Sequence, residues 1–110
     1  MTLKELKKRC DKANIQYACG GFKMPVSPPH LVSIISDTNN FMADNKVYLP
    51  KTPIKLDYTY IDKDIEMQSK IENEILGDVA WNKTEETYLE DEEIWQVSYF
   101  FEIKGGNWNA

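Results

Sequence analysis

His30, Cys10 and Cys19 are the residues here best suited to chemistry, and they do not form a set. The chain has 110 residues, one histidine and two cysteines. Catalysis needs a converging group: a nucleophile or metal, a base, and a residue to orient it. His30 stands alone after Pro28-Pro29 and reads as a structural hydrogen-bonder rather than a general base. No Cys-His or Ser-His-Asp arrangement is present. The 18 acidic residues cluster at turns and on helix surfaces. Asp37, Asn39, Asn40, Asp44 and Asn45 carry the oxygens that calcium takes, but their spacing is not that of an EF-hand loop and no acidic twelfth ligand follows. Gly20-Gly21 lacks the spacing of a phosphate loop. No catalytic residue, cofactor or metal ligand is assigned.

Cys10 falls on the apolar stripe of a helix, and both cysteines read as buried free thiols of a reducing compartment. The opening Thr-Leu-Lys-Glu-Leu-Lys-Lys has no hydrophobic signal core. No apolar run reaches the roughly 18–20 residues of a membrane span. The expected location is therefore the cytoplasm, with no membrane partner. A net charge of −5 argues against specific nucleic-acid binding, which needs clustered Lys and Arg.

The elements that would position any site follow from periodicity. Thr2-x-x-Glu5 is a capping box. Leu3, Leu6, Cys10 and Ala13 then repeat at helical spacing, with Lys4, Lys7, Lys8, Arg9 and Lys12 as a solvated basic face. Asn14 ends this helix. Ile15 to Cys19 is a short extended segment, and Gly20-Gly21 makes a bend. Met24-Pro25-Val26-Ser27-Pro28-Pro29 is a stiff connector. Leu31 to Ile35 reads as an interior strand, apolar on both faces. Ile54, Leu56, Tyr58 and Tyr60 alternate with Lys55, Asp57 and Thr59 in a third strand.

Asp62-Lys63-Asp64 caps a second helix with the apolar face Ile65, Met67, Ile71, Ile75, Leu76 and Val79, and Gly77 fits its C′ position. Trp81 to Leu89 is the fourth strand. It pairs as a hairpin, through the acidic turn Glu90-Asp91-Glu92-Glu93, with the most distinctive segment of the chain. There Trp95, Val97, Tyr99, Phe101 and Ile103 share one face, and Ile94, Gln96, Ser98, Phe100 and Glu102 the other. Five large apolar residues on one face demand a covering layer. The second face is partly apolar and suits contact with another subunit.

The predicted fold is therefore α+β: a mostly antiparallel four- to five-stranded sheet with two helices packed on one face, in the order α-β-β-β-α-β-β. Residues 1–104 form one domain, and 105–110 a flexible tail. The long 37–50 connection carries Phe41, Met42, Asp44, Asn45, Lys46, Val47 and Tyr48. Its apolar members either fold back on their own core or form an interface. Trp108 in the tail is a candidate docking residue.

Four stretches carry a resemblance: Pro29-His30-Leu31-Val32, Asn40 to Tyr48, Lys63-Asp64-Ile65-Glu66 to Leu76, and Trp95 to Ile103. In these the chain resembles small proteins of phages and prophages of Gram-positive bacteria, similar to tail-terminator or head-to-tail joining proteins of the neck of long-tailed phages. The resemblance implies virion assembly in the infected or lysogenic host. It implies a ring of identical subunits, commonly a hexamer, contacting the major tail protein and the head connector or head-closure proteins. An acidic ring around a DNA channel lets phosphate pass without binding it. Phe41, Met42, Asp44, Asn45, Lys46, Tyr48 and Trp108 are its expected interface residues. The competing reading is a small acidic binding or inhibitor protein, acting as a DNA mimic through its Glu90–Glu93 run.

Overall fold

The computed structural model describes residues 1–35 and 51–104, with Lys51 and Lys104 described by their backbone only. In chain order the elements are helix α1 (Leu3–Lys12) and strands β1 (Gln16–Cys19), β2 (His30–Ile35) and β3 (Lys51–Tyr60). Helix α2 (Ile65–Lys70) follows and runs into a π-helical turn (Ile71–Ile75). Strands β4 (Asn82–Lys83), β5 (Thr87–Leu89) and β6 (Ile94–Lys104) complete the set. The architecture is α+β, as the periodicity predicts.

Thr2 begins α1 through the expected capping box: its hydroxyl accepts from the Glu5 amide, and the Glu5 carboxylate accepts from the Thr2 amide. Ala13 closes the helix, and Asn14 follows with a φ of 62°, a left-handed conformation that Asn tolerates. Gly20 and Gly21, at φ 83° and 125°, make the bend after β1.

The sheet runs β1-β2-β3-β6-β4, with β5 also pairing β6. β6 lies along the whole of β3, from Lys51 opposite Lys104 to Tyr60 opposite Trp95. Four strand pairings are antiparallel, but β1 and β2 are parallel. The expected fourth strand is two short ones. Between them, Thr84 donates its amide to the Ser98 carbonyl while its hydroxyl accepts from the Ser98 amide. A side chain thus replaces a backbone group in the ladder, and regular pairing resumes only at Thr87.

Val97, Tyr99, Phe101 and Ile103 of β6 are buried with Ile54, Leu56, Tyr58 and Tyr60 of β3 and Leu31 of β2. Leu3, Leu6 and Cys10 of α1 and Ile71, Ile75 and Leu76 of the second helical segment join the same cluster. Both helices therefore cover one face, as expected. The π-turn matters here. A wider winding than the α-helix brings the sequence neighbours Ile75 and Leu76 onto the face that already carries Ile71, and all three are fully buried. Gly77 follows that turn, but a left-handed conformation is not what requires it. A Cβ there would run into the Asn73 backbone carbonyl.

Three expectations change. Ile65 lies in the first turn of α2, before the helix meets the core, and is 74% exposed. β2 is interior in strand order, but only its Leu31–Ser33 side is covered, and Ile34 and Ile35 are exposed. Cys10 is a buried free thiol, its pKa pushed up to about 12 by burial, whereas Cys19 is free and exposed at the end of an edge strand.

Candidate interaction surfaces

Strand parity divides the sheet into a helix-covered face and an outer face. The outer face presents His30, Val32 and Ile34 from β2, Lys55, Asp57 and Thr59 from β3, and Gln96, Ser98 and Phe100 from β6. Among the described residues no helix lies over it. Its middle is polar and self-satisfied: the Ser98 hydroxyl donates to Asp57 at 2.6 Å, and Lys55 sits 3.7 Å from the same carboxylate. One end is apolar. Ile34 lies across from Lys55, which lies across from Phe100, and both apolar side chains are 37% exposed. Apolar side chains beside a satisfied polar strip suit an interface better than a pocket.

Two polar clusters hold the second helical segment and the strand beyond it. In one, the Tyr99 hydroxyl donates to Glu72 at 2.7 Å and Lys83 donates to the same carboxylate oxygen, also at 2.7 Å. In the other, Tyr60 and Lys63 both donate to Glu86. Burial pushes the pKa of both tyrosines up, and the adjacent carboxylates add to this. Burial raises the Glu72 pKa, but the Lys83 and Tyr99 hydrogen bonds outweigh it and the net shift is down. The Lys63 hydrogen bond, with help from Tyr60, holds Glu86 low. Each carboxylate is thus fixed in its charged form and each tyrosine in its neutral form. Both carboxylates are already spoken for by an ammonium and a phenol, an arrangement that fastens elements together rather than moving protons.

Arg9 makes a third fastening. Its guanidinium grips Asp78 with two hydrogen bonds, of 2.6 and 2.9 Å, and donates to the Ile75 carbonyl at 2.9 Å. This joins α1 to the end of the second helical segment.

His30 is no general base in this setting. Its ring packs edge-on against Phe22, with centroids 5.2 Å apart. Its Nδ1 is buried without a hydrogen-bond partner among the described residues, so the structural hydrogen bond expected of this residue is not made at that atom. Burial lowers its pKa. Among the described residues no group of His, Cys, Asp and Glu is placed to hold a metal ion, and no helix is long and apolar enough to cross a membrane.

The sequence-predicted interface residues Phe41, Met42, Asp44, Asn45, Lys46, Tyr48 and Trp108 lie outside the described residues, as do the 37–50 loop and the 105–110 tail. The acidic run is at a hairpin tip. Glu90, Asp91, Glu92 and Glu93 are all exposed, and the turn closes through Glu92 and Glu93 amides donating to the Leu89 carbonyl. The basic face of α1 is solvated at its lysines as expected, whereas Arg9 is drawn into the Asp78 fastening. Lys4, Lys8 and Lys12 form a stripe at four-residue spacing, exposed and without an ion pair among the described residues. The outer-face row of Ile34 and Phe100 needed strand pairing to be seen, although the mixed character of the second face of β6 hinted at it.

Compared with known proteins, the chain matches no family model, no curated protein and no solved structure.

Proposed function

We propose that this chain is a structural assembly subunit of the neck of a long-tailed phage, a tail-terminator or head-to-tail joining protein that closes into a ring of identical copies. The observation that carries this reading is the outer sheet face, with Ile34 and Phe100 exposed opposite a helix-covered core. A second copy is its natural cover, because closed rings form when two different surfaces of one subunit fit each other. The three fastenings support the same reading. They commit the best-placed carboxylates, tyrosines and the guanidinium to holding the subunit rigid. The negative net charge suits a ring through which DNA must slide.

The test is concentration-dependent association, followed by light scattering and negative-stain imaging. Wild-type protein is expected to form closed rings. Ile34→Glu combined with Phe100→Glu is expected to leave a folded monomer. A wild-type chain that stays monomeric at every concentration overturns the proposal. The exposed Glu90–Glu93 tip favours a second reading, an acidic inhibitor that mimics DNA. That reading requires a monomer that titrates a DNA-binding enzyme and loses this ability when the four acids become Gln or Asn.

A further inference from the structure

The stretch that links β3 to α2 meets the proline connector in a depression. Its walls are apolar: Pro28 and Pro29 on one side, Ile61 and Ile65 on the other. Ile61 is 54% exposed and Ile65 74% exposed, which is unusual for isoleucines beside a core. Tyr58 and Tyr60 contribute their rings, 4.9 Å apart. The rim carries Asp62, Asp64 and Glu66. Lys63, the one cation among the described residues that line it, is already paired with Glu86. Asp64 accepts from the Met67 amide as the cap of α2, and Asp62 and Glu66 make no ion pair among the described residues.

Beneath this rim lies a polar atom with nothing to bond. Tyr58 is 1% exposed, and its hydroxyl has no hydrogen-bond partner among the described residues. Buried hydroxyls are nearly always satisfied, so this one marks a place where something else supplies the partner.

We propose that this depression is a socket for a lysine side chain, and that the lysine comes from the Lys4–Lys8–Lys12 stripe of α1 on a second copy of the chain. The inference rests on the ring reading above and specifies its contact. A lysine matches every wall. Its four-carbon stem packs on Pro28, Pro29, Ile61 and Ile65 while its head stays polar. Its ammonium donates to the Asp62 and Glu66 carboxylates at the rim, and it reaches the Tyr58 phenol oxygen, closed off in the free subunit, as the rim parts to admit it. The stripe supplies the complementary charge at a matching scale, three cations against three carboxylates. Stripe and socket are different surfaces, so contact between them is head-to-tail, as a ring requires. The socket also continues into the outer sheet face, since Pro29 directly precedes His30 and Ile61 closely follows Thr59.

The experiment uses charge reversal and light scattering on the full chain, with far-ultraviolet circular dichroism as the folding control. One variant carries Lys4→Glu, Lys8→Glu and Lys12→Glu. The other carries Asp62→Lys and Glu66→Lys, leaving the cap Asp64 intact. Each alone is expected to weaken association about tenfold or more, and wild-type association is expected to weaken with added salt. An equimolar mixture of the two is expected to associate again, because each reversed surface then meets its complement. Tyr58→Phe reports on the socket directly: it is expected to weaken association while raising the melting temperature of the free subunit. If wild type associates and the reversals change nothing, or the mixture fails to restore association, this contact is wrong and the assembly reading stands. If wild type never associates, both fall.

Discussion

Tyr99 of β6 and Glu72 of the π-helical turn lie 27 positions apart in sequence and meet in a 2.7 Å hydrogen bond. The tyrosine is fully buried, and the carboxylate also receives Lys83. Among the described residues, Glu72→Ala leaves the Tyr99 hydroxyl with a long 3.4 Å contact from Gln68 alone. An under-satisfied buried hydroxyl costs about 1–3 kcal/mol. The expected outcome is a loss of that size in denaturant unfolding, with Glu72→Gln losing less because its amide oxygen still accepts.

Acid should weaken the fold in two stages. His30 is held neutral by burial, so its folded pKa lies below its unfolded one. The unfolded state then binds the extra proton first, and stability falls as pH drops below about 6.5. Glu72, Glu86 and Asp78 have depressed pKa values, the last chiefly through the Arg9 hydrogen bond. Their contribution is present above the unfolded carboxylate range, about pH 4, and disappears as pH falls through the folded values. Melting temperature against pH should show both stages, and His30→Gln should remove the first alone.

Arg9→Lys tests whether the α1 fastening depends on geometry or on charge. A lysine keeps the charge but cannot grip Asp78 with two nitrogens while donating to the Ile75 carbonyl. The site is partly exposed, so the expected loss is modest, about 1 kcal/mol, in chemical denaturation. A change indistinguishable from zero would show that α1 is held by Leu3, Leu6 and Cys10 alone.

Glu93 occupies the left-handed region at φ 56° in the β5–β6 turn. That conformation costs a side-chain-bearing residue roughly 1–2 kcal/mol, and glycine gives part of this back through its own entropy. Glu93→Gly should therefore stabilise the chain by about 0.5 kcal/mol. It also removes one charge from a run of four acids, and comparison with Glu93→Gln separates the two effects.

Tyr58→Phe deletes a buried hydroxyl that has no partner among the described residues. Removing an unsatisfied polar atom without opening a cavity should stabilise the monomer, by about 1 kcal/mol. Thermal melting of dilute protein checks this. Most core substitutions do the opposite, so the sign is diagnostic.

Local rules wrote much of this fold openly. Thr2 and Glu5 lie three apart and form the capping box whatever the rest of the chain does. The alternation in residues 54–60 and 97–103 sorts inward from outward side chains correctly, because parity survives any choice of partner strand, whereas Trp95, expected on the covered face, lies at the end of the strand and is 36% exposed. What stayed hidden depends on distant partners. Nothing within Gln16–Cys19 states that it runs parallel to β2, since connection and tertiary packing decide that. The Ser98 interaction that splits residues 82–89 engages Thr84 from 14 positions away. Ile65 fits a helical stripe, yet that stripe meets the sheet only further on. The socket is the least legible feature: its walls come from residues 28–29 and 58–66, and its meaning comes from one hydroxyl left without a mate.

β6 lies between β3 on one side and β4 and β5 on the other, though it is the last of the described strands to be synthesised. A nascent chain that has reached Leu89 holds both flanks of the sheet but lacks the strand that joins them. β3 then shows a ten-residue edge with Ile54, Leu56, Tyr58 and Tyr60 waiting for cover. Folding on the ribosome must stall there until residues 94–104 clear the exit tunnel. A fragment ending short of them keeps the β3 edge unpaired and is expected to aggregate rather than persist as a smaller domain.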